Sequence, residues 1–330
     1  KYFKNLSNSL AYNQQIYLPR GLKEELRRII KNFDLVHLHG HRNFLNNIVR
    51  IEALKNNIPY ILSGHGTVVR IERKVFINSI FDKFFGNSVL RDASGFVAVS
   101  ESELKQFEEM GVSPDEVRVI YNGIELDDYR DLPPKGEFKK NFGLEGKKVI
   151  LYLGKFTPRK GMDFLTRAFA RLKKNSRDDI KLVFVGNDMG FKSKVLEIIK
   201  EEGLSDSVVF TGLLTGRDKL AAYVDADVLA YPAVHEIFGL VPFEALMCGA
   251  PVVVTDDCGC GLIIEREGAG ETVKYNDTRA LADKLGKILS DGEEVSESVK
   301  KGQEFIEKNL SWEIIGKRYE EFYKEVLGKK

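Results

Sequence analysis

The sequence predicts an α/β protein of two Rossmann-like domains, each a parallel sheet wrapped in helices. Three observations carry that reading. Short, apolar, β-branched runs alternate with amphipathic helical stretches along the chain. A polar gap at Leu126–Lys147, holding Asp127-Asp128, Pro133-Pro134 and little apolar periodicity, divides that alternation into two series. The 330 residues are enough to fill two separate cores.

In order along the chain, strands are expected at Asp34–Leu38, Tyr60–Ser63, Gly95–Ser100 and Val117–Tyr121. After the gap they follow at Lys148–Leu153, Ile180–Val185, Val208–Phe210, Val228–Tyr231, Pro251–Thr255 and Glu271–Lys274. Helices are expected between them near 21–32, 44–57, 72–85, 101–110, 162–174, 191–202, 217–224, 241–248 and 279–289, and three further helical stretches are expected to close the chain. Pro242 fits a first helical turn, where its missing N–H costs nothing, and Gly239 just before it permits close backbone approach. Ser311 is a helix N-cap ahead of Trp312 and an amphipathic run. The expected organisation is an N-terminal domain at 1–126, a linker at 127–147, a C-terminal domain at 148–311 and a terminal helix at 312–330. Two such domains would face each other across a cleft at the carboxyl ends of their strands, the usual binding place in open parallel sheets.

Composition narrows the function. Hydrophobic residues at 43% and charged residues at 30% are those of a folded globular protein. No apolar run reaches the ~18–20 residues that span a bilayer. Cys248, Cys258 and Cys260 are too few for a disulfide framework, so a reducing cytoplasmic setting is expected. The net charge of +1 argues against general nucleic-acid binding but conceals a division. Residues 1–91 carry 15 Lys and Arg against 6 Asp and Glu, an excess of +9 over a remainder of −8. A basic first part suits an anionic partner, whether a membrane face or a charged acceptor, and equally a solvated basic surface.

The strongest chemical constellation runs from His235 to Pro251. Glu236 sits in a loop after a strand that ends at Tyr231-Pro232, and Glu244 lies eight positions later on the following helix. A glycine-bearing loop at a positive helix end offers free N–H groups to a diphosphate or to sugar hydroxyls, with carboxylates to grip hydroxyls. The alternative is a capped helix with incidental acids.

The run Glu236-x-Phe238-Gly239-Leu240-x3-Glu244-Ala245 resembles the E-x7-E motif of family 4 retaining glycosyltransferases with the GT-B fold. Leu153-Gly154-Lys155 through Lys160-Gly161 resembles the family's G-[RK]…K-G loop, and Asn122-Gly123-Ile124-Glu125 its N-G-I-[DE] turn. Val99-Ser100-Glu101 and Asp34 to Gly40 agree as well, and Ser63-Gly64-His65-Gly66-Thr67 resembles the loop carrying a cleft-facing histidine. The first domain is short for that family, which suggests that one or two βα units are missing from its start.

The resemblance implies the following roles. Lys155 and Lys160 neutralise the donor diphosphate; Lys155 stands where the family often has Arg and lacks its bidentate fork. Glu236, with N–H groups around Phe238, Gly239 and Leu240, holds the donor sugar. Glu244 accepts from ribose hydroxyls, Leu214 lies where backbone atoms meet the base, and His65 lines the reacting sugar. His37 and His39 flank the same strand end, where a structural role is expected. The implied enzyme moves a hexose from a UDP- or GDP-linked sugar to a glycolipid, glycan or small acceptor, with retention, by a front-face mechanism, without metal or cofactor. Asp225-x-Asp227 and the three cysteines do not form a convincing metal set. Alternatives are a disaccharide or glucan synthase on the same fold, or a silent sugar-nucleotide-binding protein. A Rossmann oxidoreductase is disfavoured, since no G-x-G-x-x-G follows a strand. Arg70–Phe85 mixes basic and aromatic residues and reads either as ordinary packing or as an interfacial helix at an anionic, cytoplasmic membrane face.

Overall fold

A computed structural model describes residues 2–9, 17–68, 79–175, 179–290 and 293–328. The chain forms two units: Lys1–Tyr121 together with Ile315–Lys330, and Asn122–Ile314.

The first unit is built on β1 (Val36–His39), β2 (Tyr60–Ser63), β3 (Gly95–Ala98) and β4 (Val117–Val119), parallel and in the order β1-β2-β3-β4. Register runs Val36↔Tyr60, Ile61↔Gly95 and Phe96↔Val117. The central strands β2 and β3 are buried along their whole length, as strands covered on both faces must be. Alternation sends Tyr60, Leu62, Phe96 and Ala98 into a core with Ala53 of helix Phe44–Lys55 and Phe107 of helix Glu101–Glu109. Local chemistry starts both helices: the Asn43 side chain accepts from the Leu45 N–H, and Ser100 Oγ from the Glu103 N–H. The opposite face of the sheet, Ile61 and Val97, packs on Ile315, Phe322 and Val326 of the terminal helix Trp312–Gly328. A Cβ at Gly95 would stand 2.7 Å from the Phe322 ring, so glycine lets that helix sit against β3.

The second unit carries β5 (Lys148–Leu153), β6 (Ile180–Val185), β7 (Val208–Gly212), β8 (Val228–Tyr231), β9 (Val252–Thr255) and β10 (Glu271–Val273). They form one parallel sheet in the order β10-β9-β8-β5-β6-β7. This is the doubly wound arrangement, in which the chain winds outward in one direction from β5 and then returns beside it as β8. The topological switch point therefore lies between β5 and β8, where Ile150 pairs with Val228.

The expected linker clusters with the second unit and contains a short helix, Glu137–Asn141. Asp225 holds its start, accepting from the Gly136 N–H at 2.5 Å and the Lys139 N–H at 2.9 Å. Asp227 accepts from Lys139 Nζ and the Val149 N–H. The Asp-x-Asp pair thus fastens this segment to the sheet.

Candidate functional site

In the second unit the loops after β5 and β8 meet at the switch point. The Val234 N–H donates to the Arg159 carbonyl at 2.9 Å. Gly161 takes φ 65°, and a Cβ there would lie 2.0 Å from the Pro232 carbonyl oxygen, so only glycine lets the loops approach this closely. Helix Met162–Asn175 starts directly after it. This contact brings Lys160 against the β8 loop. Its ammonium pairs with Glu236 Oε2 and donates to the Tyr231 hydroxyl at 2.7 Å. Tyr231 in turn donates to Glu236 Oε2 at 3.2 Å.

Glu236 is held from its other side by the β9 loop. The Gly259 N–H donates to the Glu236 carbonyl at 2.8 Å, and a Cβ at Gly259 would collide with the Ile237 carbonyl. Phe238 is buried against Phe243, with ring centroids 5.4 Å apart, and this anchors the turn into helix Leu240–Met247. Gly239 caps that helix at φ 81°, and Pro242 lies in its first turn. Glu244, on the same helix, accepts from Lys219 Nζ at 3.0 Å and the Tyr223 hydroxyl at 2.8 Å. Lys155 is exposed, its carbonyl accepting from the Tyr152 hydroxyl at 3.1 Å, and its ammonium has no ion pair among the described residues. Leu214 is half-buried between β7 and helix Gly216–Val224.

Lys160 and Glu236 are therefore brought together in one hydrogen-bonded group, while Glu244 belongs to a second group with Lys219 and Tyr223. Sequence reasoning missed Tyr231, Tyr223 and Lys219 as members. The signal for Tyr231 was its place at the carboxyl end of a strand just before the loop. Burial, reinforced by the nearby carboxylates, pushes the Tyr223 and Tyr231 phenols well above their usual range, so both remain protonated donors. Among the described residues no group of three or more His, Cys, Asp or Glu side chains is arranged to hold a metal ion.

In the first unit, His65 has φ 50° in the loop after β2. Its Nε2 lies 2.9 Å from His39 Nδ1, with the two rings stacked. Buried Glu103 holds this loop by accepting from the Gly66 N–H at 2.5 Å and the Val99 N–H at 2.8 Å. His37 bridges Ser63 Oγ at 2.7 Å and the Tyr323 hydroxyl at 2.8 Å. Partial burial lowers the pKa of all three imidazoles, and repulsion from the neighbouring histidines adds to this at His37, which falls to about 3. Of the stretch Arg70–Phe85, residues 70–78 lie outside the described residues; Ile80 and Phe84 are exposed.

The sequence profile described as Glycosyl transferases group 1 matches residues 134–305, more than half of the chain. The chain belongs to the group 1 glycosyl transferases. A second profile, Glycosyltransferase Family 4, matches residues 5–128 and so covers most of the remainder. Among relatives of the chain, an uncharacterized glycosyltransferase of Methanocaldococcus jannaschii is 32% identical over 65% of the chain and 56% of that protein's own length. The N-acetyl-alpha-D-glucosaminyl L-malate synthase of Bacillus anthracis is 25% identical over 90% of the chain and 76% of that protein. Of solved structures, HepE of Anabaena, in complex with UDP, superposes with a TM-score of 0.80 at 19% identity, covering 92% of this chain and 82% of that one. A glycosyltransferase from Rickettsia africae gives 0.80 at 21% identity over 100% and 85%. These likenesses show the fold: two parallel-sheet α/β domains of the GT-B class.

Proposed function

We propose that this protein transfers a hexose from a nucleoside diphosphate sugar to a hydroxyl of a glycolipid, glycan or small acceptor, with retention at the anomeric carbon. The observation that carries the reading is the Lys160–Tyr231–Glu236 group, set at the switch point where an open parallel sheet binds its ligand. A cation, a carboxylate and the glycine-opened start of helix Leu240–Met247 lie side by side, which suits a sugar diphosphate. HepE, of the same fold, has been solved with UDP and with UDP-glucose, and that supports UDP as the first nucleotide to test.

On this reading Lys155 and Lys160 stabilise the departing diphosphate. Glu236 and the N–H groups near Phe238–Leu240 hold the sugar, Glu244 the ribose, and Leu214 the base edge. The acceptor oxygen bonds to the anomeric carbon on the face from which the phosphate oxygen departs. The leaving phosphate takes the acceptor's proton, so fixed positive charge supplies most of the catalysis and neither metal nor cofactor is required. His65, whose pKa is lowered by burial, is a neutral group proposed for the reacting sugar. The basic excess of residues 1–91 suits an anionic acceptor or the anionic face of a membrane. Among the described residues no helix is long and apolar enough to cross one.

Titration calorimetry with UDP, GDP, UDP-glucose and GDP-mannose tests the donor assignment. Binding of at least one diphosphate is expected, and Lys160→Ala should weaken it roughly 10- to 100-fold while leaving the bare nucleoside nearly unchanged. Absence of binding by all four ligands would contradict the assignment, and unchanged affinity in Lys160→Ala would remove that lysine from the phosphate role.

A further inference from the structure

We infer that Tyr231 is a positioning residue that ties the phosphate-binding lysine to the sugar-binding carboxylate; this rests on the donor site proposed above. Tyr231 is the last residue of β8, and β8 lies beside β5 in the sheet, so its side chain stands between the two loops that the switch point brings together. Tyr231 is 2% exposed and lies against Lys160, Glu236 and Gly239. The hydroxyl accepts from Lys160 Nζ at 2.7 Å and donates to Glu236 Oε2 at 3.2 Å. The Lys160 ammonium also lies 4.9 Å from the ring centroid, within the range of a cation–π contact. On the third side a Cβ at Gly239 would come within 3.1 Å of Tyr231 Cε1, so the ring helps to enforce glycine at the start of helix Leu240–Met247.

A ring needed only for packing would carry no hydroxyl here, because a buried hydroxyl is costly unless bonded. This one is bonded on both sides to charged groups. Lys160 and Tyr231 both donate to Oε2 of Glu236, which leaves Oε1 to accept from a sugar hydroxyl. When a diphosphate draws the Lys160 ammonium to itself, the Tyr231 hydroxyl keeps Glu236 in place. Buried between a cation and an anion, the phenol stays protonated and serves as a lasting donor. Tyr231 thereby links occupancy of the phosphate site to the geometry of the sugar site.

The test uses Tyr231→Phe, Glu236→Gln and the double variant of the whole chain, titrated with UDP and UDP-glucose, or with GDP and GDP-mannose if the wild type prefers guanine. Tyr231→Phe keeps the ring and its packing. It should lower the affinity for the sugar nucleotide relative to the free nucleoside diphosphate about tenfold, through the loss of its hydrogen bond to the Glu236 carboxylate, while the lost hydrogen bond from Lys160 affects both ligands alike. Glu236→Gln should lose the same preference, and the double variant should be no weaker than Glu236→Gln alone, since both changes act through one carboxylate. Additive losses, or a Tyr231→Phe variant whose only change is a lower melting temperature, would overturn the inference and leave the donor site standing. A wild type that binds no nucleoside diphosphate would overturn both.

Discussion

His37 shows what one side chain contributes when its neighbours are fixed. Its two ring nitrogens join Ser63 of β2 to Tyr323 of the terminal helix, and its pKa falls from about 6.5 to about 3 through burial and then through repulsion from His39 and His65. A base whose folded pKa is depressed destabilises the native state as the pH falls. The unfolded chain takes up the proton below about 6.5, whereas the folded chain resists it until about 3. We therefore expect the melting temperature of the wild type to fall more steeply than that of His37→Gln between pH 7 and pH 4, by a few degrees, with the two curves separating below pH 6.5. Reading the difference between the two proteins cancels the titration of Glu103 and Asp82, which both retain. Parallel curves would show that His37 titrates normally. The sequence placed this histidine at a strand end but could not supply Tyr323, 286 positions away.

At the scale of elements, the strands were legible because β-branched runs and their two-residue alternation are local. The expected Val228–Tyr231 and Tyr60–Ser63 coincide with β8 and β2. The helix expected at 241–248 is found at Leu240–Met247, since Gly239 and Pro242 mark its start in the sequence itself. Some elements were not legible, among them helix Gly259–Glu267, which was not expected from the sequence. Helix Glu137–Asn141 depends on a cap from Asp225, 89 positions from Gly136. The end of the helix expected at 72–85 takes a π form at Asp82–Gly86, which packs where the Asp82 carboxylate takes two hydrogen bonds from Arg42, at 2.9 and 2.8 Å. Both rest on partners far along the chain, which local propensity does not encode. The β5–β8 loop contact gives the sharpest prediction at this scale. Gly161→Ala adds a methyl 2.0 Å from the Pro232 oxygen at a left-handed φ, so about 3 kcal/mol of stability should be lost and the melting temperature lowered by roughly 6–12 °C. A variant as stable as the wild type would mean that the loops separate freely and that Lys160 is not fixed by them.

Across the whole molecule, the near-zero net charge is made of a first part at +9 and a remainder at −8. Part of the basic excess is engaged internally, where Arg50 and Arg91 pair with Asp92 of the first unit. The rest supports the proposed anionic partner. Co-sedimentation should show binding to phosphatidylglycerol vesicles at ~20 mM salt that is largely lost by ~500 mM, with little binding to phosphatidylcholine at either. Equal binding to both lipids, or none, would confine the excess charge to solvation. The α/β class, the two series of strands, the motif loops and the helix starts at Gly239 and Pro242 can be read from the chain, because each follows from residues adjacent in it. Which side chains meet depends on the fold. Lys160 reaches Tyr231, 71 positions away, and Glu236, 76 positions away, because the sheet order places β8 beside β5. Likewise Phe322 closes one face of the first sheet because Gly95 leaves it room. Strand order and close packing are set by the burial of whole faces, a property of the folded chain that no window of sequence contains.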